Sequence, residues 1–218
     1  MPLKAPTYVP VAQIASMPLA HEWDDDDPYP LFPDVDEDIE ELLSKVSDRA
    51  KFAFAIACAE WVVYRFSKES KDPAPFQFIQ ACWAVEMSDD FESPDESEDE
   101  EWEGPIRGPI DLALMTILNT FYASEDDDAE EEAAFAELVA LHVLPDQSAF
   151  IEWRDAVLKK LVAQYPYRKK DPMGEPVPRE DLDPRLQFDK KQRAELVEAY
   201  IAGLPKKSNP FLLRSEDE

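Results

Sequence analysis

The sequence predicts an all-α fold, a single helical domain of about seven helices with a proline-rich extended N-terminal arm and an acidic loop. Two observations carry this expectation. Apolar residues recur at helical spacing in segment after segment, and period-two alternation is nowhere sustained. Of the 218 residues, 44% are hydrophobic and 11% aromatic, which fills a sizeable core and excludes disorder of the whole chain. The length suits one domain.

Residues 1–33 are rich in proline, which lacks an amide donor and is excluded from helix interiors, so an extended arm is expected. Tyr8, Val9, Val11, Ile14 and Trp23 suit an arm lying on the body. The helical domain is expected over 34–205. Its first helix is "DEDIEELLSKV", residues 36–46, with acids in the turn that faces the positive end of the helix dipole. Ser47 can cap the next helix, to about Ser67. Phe52, Ile56, Val63 and Phe66 follow helical spacing there, and with Phe54, Trp61 and Val62 the helix is apolar nearly all round, as a central helix is. Pro73 and Pro75 open "APFQFIQACWAVEM". An acidic loop spans 88–104. Pro109 fits an early helical position, followed by a stripe of Ile110, Leu114, Ile117, Leu118 and Phe121. "AEEEAAFAELVALHVL" is ended by Pro145. Asp146 can cap a helix carrying Phe150, Trp153, Val157, Leu158 and Leu161. Residues 165–187 read as an irregular excursion. Asp189 and Gln192 form a capping-box pattern for a last helix, which Gly203 and Pro205 end. Residues 206–218 form a tail.

The formal net charge is −27. Residues 22–41 hold eleven Asp/Glu, 88–103 hold ten and 125–132 hold seven, with no Lys or Arg in any of the three. The rest of the chain is near neutral, and residues 150–214 are net basic. Charge concentrated in this way favours encounter with a basic partner and repels nucleic acid and anionic membranes. The basic groups at 167–170, 190–193 and 206–207 are expected to answer the protein's own acids or to be solvated.

Most catalytic chemistries lack their residues. Four glycines, Gly104, Gly108, Gly174 and Gly203, cannot build a phosphate-cradling loop. Two histidines, His21 and His142, and two cysteines, Cys58 and Cys82, show no metal-ligand spacing. The consecutive acids of "HEWDDDDPYP" do not alternate as a calcium loop requires. No cofactor or metal is expected. Glu60 and Glu86 stand inside apolar helices, so burial must raise their pKa or find them a base; an internal salt bridge is the plain reading and a catalytic carboxylate the other. Cys58 and Cys82 fit buried, reduced thiols and a cytoplasmic protein. Prolines interrupt any signal-like apolar run near the N-terminus.

The acidic runs interleave aromatics, and acids with rings are how a surface recognises a basic protein: carboxylates steer and rings anchor. The candidate partner-binding residues are therefore Trp23 with Asp24, Asp25, Asp26 and Asp27; Phe91, Glu92, Asp95, Glu96, Glu98, Asp99, Glu100, Glu101 and Trp102; and Asp126, Asp127 and Asp128. In its charged segments, helical body and want of catalytic motifs, the chain resembles the immunity proteins of bacterial polymorphic-toxin systems. The resemblance covers general character and no aligned motif. It implies an acidic inhibitor that occludes a basic toxin domain acting on nucleic acid or nucleotides. The alternatives are an adaptor or chaperone for a basic client, a nucleic-acid mimic, and an enzyme with a carboxylate site at Glu60 or Glu86. Oligomeric state is not readable.

Overall fold

The computed structural model describes residues 3–95, 103–124, 129–205 and 208–215. They form eight α-helices and one two-stranded antiparallel pair. The centre is α3 (Asp48–Arg65), whose residues from Arg49 to Arg65 are all buried. Ser47 caps it, its hydroxyl accepting from the Ala50 amide at 3.4 Å. Alanines at 53, 55, 57 and 59 let neighbours approach closely. Against α3 pack α4 (Ala74–Met87), α5 (Gly104–Ala123) and α6 (Ala129–Val143). Helix α7 (Ser148–Gln164) meets it through rings: Trp153 stacks on Phe54, and Phe150 lies edge-on to Trp61. Helix α2 (Glu37–Leu43) lies against α6 and α7. Helix α8 (Lys190–Gly203) opens with the expected capping box at Asp189 and Gln192, and packs on α4 with no fully buried residue of its own. No helix among the described residues is long and apolar enough to cross a membrane.

The arm is less extended than proline content suggests. It contains a short helix α1 (Val11–Ile14) and a 3₁₀ turn (Tyr29–Leu31), and Tyr8, Val9, Ile14 and Ala15 are buried. Proline at 10 and 28 precedes each turn, where a missing amide costs nothing. Cations on the body hold the arm by its carbonyls: Arg65 donates to Pro18 at 3.0 Å, Arg179 to Lys4 at 2.8 Å and Arg185 to Thr7 at 2.6 Å.

The excursion 165–187 has its own task. Four α3 amides at a helix start lack intrahelical partners. Here Asp48 N donates to the Pro172 carbonyl at 3.0 Å and Arg49 N to that of Met173 at 3.1 Å. Gly174 makes the turn with φ +77°, and a Cβ there would overlap Ser47. Asp181, wholly buried, is met by Lys160 at 3.0 Å, Arg193 at 2.6 Å and the Tyr165 hydroxyl at 2.5 Å.

Two expectations are corrected. The sequence shows no convincing strand, yet β1 (Phe91–Glu92) pairs with β2 (Leu213–Arg214), Phe91 opposite Arg214. Strands of two residues leave no alternation to detect. Helix α5 begins at Gly104, five residues before Pro109, so Pro109 lies inside the helix. Distant residues supply what the local sequence lacks. The Asp25 carboxylate accepts from the Gly104 amide at 2.6 Å. Pro109 has no N–H for the Pro105 carbonyl, and His21 Nε2 meets that oxygen at 2.7 Å.

That contact fixes the His21 proton on Nε2 and leaves Nδ1 buried without a partner among the described residues. Burial lowers the ring's pKa from 6.5; the bond to Pro105 pulls it upward, and His142 and Arg65 lower it further. A lowered histidine means that the unfolded chain takes up the proton first, so its contribution is present above pH 6.5 and lost as pH falls through the folded pKa. His21→Gln is expected to cost about 0.5–1.5 kcal/mol at pH 7.5 and to lose less stability than the wild type on acidification to about pH 5. Parallel melting curves across that interval would contradict this role.

Candidate protein-binding face

The stretch 20–41 meets the start of α5 through His21, Trp23 and Asp25 and continues along α6. Tyr29 stacks on Phe135 at 5.9 Å, and Phe32 touches both Phe135 and His142. His142 Nε2 contacts the Glu22 carbonyl at 2.7 Å, so this ring also donates from Nε2. These apolar contacts fix the backbone while the carboxylates face water. Asp24, Asp25, Asp26 and Asp27 are all exposed. Of the eleven acids between residues 22 and 41, Glu41 alone reaches a base within ion-pair distance among the described residues, Lys45 at 2.8 Å. The first turn of α6 adds Glu130, Glu131 and Glu132. Glu130 is taken by Lys51 at 2.9 Å, whereas Glu131 is exposed.

Like charges crowd here. Burial raises the pKa of Glu137 on α6; Arg154 opposes, and the nearby Asp36 raises it further. Burial likewise raises Glu132, with Glu131 adding to it and a hydrogen bond from Asn119 opposing. With Glu41 alone ion-paired between residues 22 and 41 among the described residues, the face carries an excess of negative charge that its own bases do not cancel.

The basic residues of the C-terminal part are turned mostly elsewhere. Arg154 pairs with Glu137, Arg179 with Glu60 at 2.6 Å, and Arg185 with Asp183 at 2.7 Å. Hydrogen bonds from Arg185 hold the Asp183 carboxyl down to about 2. Lys190 pairs with Glu175, and residues 168–170 stand exposed. These bases answer acids of the body and excursion, not the described members of the acidic runs.

The candidate residues divide. Asp24, Asp26 and Asp27 stand on the face. Asp25 is exposed but structural, capping α5 and accepting from Trp23 Nε1 at 2.8 Å. Trp23 is half-buried on α5, its indole filling the space where a Cβ on Gly108 would be. Glu92 is exposed beside the strand pair, and so is Asp95. Phe91 is a correction: it is 7% exposed and belongs to the core. Pairing with β2 turns its ring inward, and Arg214 covers it at 5.2 Å. It anchors the loop to the body and is not free to meet a partner. Glu96, Glu98, Asp99, Glu100, Glu101, Trp102, Asp126, Asp127 and Asp128 lie outside the described residues.

Both singled-out glutamates are buried, in different ways. Glu60 accepts from Arg179, from Trp83 Nε1 at 3.2 Å and from the Tyr8 hydroxyl, and so ties the arm and the excursion to α3. Glu86 accepts from the Val177 amide at 2.8 Å with Oε1, while Oε2 has no hydrogen-bond partner among the described residues. Burial raises the Glu86 carboxyl well above its ordinary value, against the pull of Arg49 and of that amide.

Glu86 also lines a cavity of about 210 Å³ with Asp48, Arg49, Asp89, Phe52, Phe91, Phe121 and Met173 among its walls. No sequence signal marked it, because its residues come from four separate segments. Cys58 and Cys82 are free and buried, and burial raises both thiols. Comparison of the chain with protein-family models, with curated proteins and with solved structures finds no match.

Proposed function

We propose that this protein binds and occludes a basic protein partner, in the manner of the toxin-neutralising immunity proteins whose general character it shares. One observation carries the reading. A surface of eleven acids between residues 22 and 41 is held in place by apolar and backbone contacts, with Glu41 alone ion-paired among the described residues. Charge that the protein's own bases do not pair is available to a partner, and it raises encounter rates with a basic surface.

The test uses the full chain as bait in extract of its source cell. A second bait carries Asp24→Asn, Asp26→Asn and Asp27→Asn. Asp25 is left intact because it caps α5. The wild type is expected to retain a basic protein that the neutralised bait retains poorly, and that protein's activity is expected to be blocked in the complex. A partner that remains active when bound would make this an adaptor or chaperone. Equal capture by both baits would reject the acidic face.

A further inference from the structure

The acidic face is carried on a strap that the core grips only at its ends. From Ser16 to Asp38 no residue is buried, whereas Ile14 and Ala15 before it and Ile39 and Leu43 after it are. Met17, Phe32 and Val35 rest partly buried against the core. Segments with few buried apolar contacts are the ones that open well below the free energy of global unfolding.

Two histidines make the central contacts. His21 Nε2 donates from the strap to the Pro105 carbonyl of α5 at 2.7 Å, and His142 Nε2 donates from α6 to the strap's Glu22 carbonyl at 2.7 Å. Their rings interleave strap and body. Phe66 meets His21 at 5.6 Å, His21 meets His142 at 5.6 Å, and His142 meets Phe32 at 4.9 Å. Further bonds to the strap come from Lys68 to the Ser16 hydroxyl at 2.7 Å, Arg65 to the Pro18 carbonyl at 3.0 Å and the Gly104 amide to Asp25 at 2.6 Å.

This arrangement suits neutral rings. Each Nε2 already carries its proton, so a second proton goes to Nδ1, and His21 Nδ1 is buried with no acceptor among the described residues. The charges around the pair do not compensate it. From α3 comes Arg65, a cation 5.1 Å from the Phe66 ring, with Glu69 against it at 3.7 Å. From the start of α5 comes Arg107, paired with Asp72 at 2.7 Å. The strap's Glu22 and Asp24 are exposed, and Asp25 is engaged by Trp23 and Gly104. Two charged imidazoles in ring contact repel, so the pair titrates as a unit.

We propose that His21 and His142 form an acid-sensitive latch: neutral, they hold the strap of residues 16–38 on α5 and α6; charged, they release it while the helical body stays folded. Asp24, Asp26 and Asp27 lie on this strap, so the latch sets the pH range in which the acidic face keeps its form. That consequence rests on the reading of the face as a binding surface; the opening itself does not. Burial lowers the His21 ring from 6.5, with the bond to Pro105 opposing and His142 and Arg65 adding to the fall. In the open strap the ring returns to its ordinary value, so opening takes up a proton. Closure is therefore fully favoured above pH 6.5 and is lost as pH falls through the value of the closed ring.

The latch is tested on the full-length protein alone. Amide hydrogen exchange is followed by NMR between pH 7.5 and 5, with the histidine ring signals titrated in the same samples. Protection of the strap amides and of Gly104, whose acceptor is on the strap, is expected to fall by about tenfold as the rings titrate, while α3 amides keep theirs. His21→Gln with His142→Gln keeps a donor at each position and removes the titration, so strap protection should no longer depend on pH. Strap amides that stay protected to pH 5 while the rings become charged would overturn the proposal. So would α3 and the strap losing protection together, or a double variant with the wild-type pH dependence. The wild-type series decides the matter alone should the double variant fail to fold. A strap unmoved by acid would leave the acidic-face reading standing, and failure to capture a basic partner would leave the latch standing.

Discussion

Arg179→Met is expected to lower the melting temperature by about 6–20 °C. Arg179 meets Glu60 through Nε at 2.7 Å and Nη2 at 2.6 Å, and the Glu60 side chain is wholly buried. Removing one member of such a pair strands the other charge in the core and costs about 3–5 kcal/mol. For a chain of this length each kcal/mol is worth about 2–4 °C. The same guanidinium holds the arm through the Lys4 carbonyl, so amide protection in residues 3–10 should fall with it. Neutralising both partners, Glu60→Gln with Arg179→Met, should recover most of the loss, because no bare charge is left inside. Thermal melting followed by far-UV circular dichroism reads all three proteins. A single variant that melts within about 2 °C of the wild type would show that the buried pair does not tie arm and excursion to α3.

Much of the fold is legible because the physics that makes it is local. Ser47 and Asp189 announce their helices within three residues of the amides they cap. Helix α3 shows itself by being apolar on every side, which suits only a central position. What escapes the sequence is set by residues far apart. The cap of α5 is Asp25, 79 positions away from Gly104, and the donor replacing Pro109's missing amide is His21. Locally, therefore, Pro109 looks like a helix start. Phe91 reads as an exposed ring among acids because the strand that turns it inward lies at 213–214. Glu60 and Glu86 were both recognisable as costly burials, but only geometry separates them: one is matched by Arg179, and the other keeps an oxygen unpaired. The acidic character of the 22–41 face was plain in the composition. That only Glu41 of it is ion-paired among the described residues was not, since Arg154, Arg179, Arg185 and Arg193 could have answered it and instead answer buried carboxylates.

The central claim is that uncompensated acid on the 22–41 face draws in a basic protein. Its most direct test is the rate of association between this protein and the captured partner, measured by stopped-flow fluorescence while salt rises from about 0.05 to about 0.5 M, across which screening shortens to a few ångströms. Steered pairs associate at about 10⁸–10⁹ M⁻¹s⁻¹ at low salt against roughly 10⁵–10⁶ for neutral surfaces. The association rate is expected to fall by more than about tenfold over this range while dissociation changes little. The variant with Asp24, Asp26 and Asp27 replaced by Asn is expected to start slower, fall less steeply and melt as the wild type does. An association rate that stays flat with salt, or a variant whose salt dependence matches that of the wild type, would contradict it.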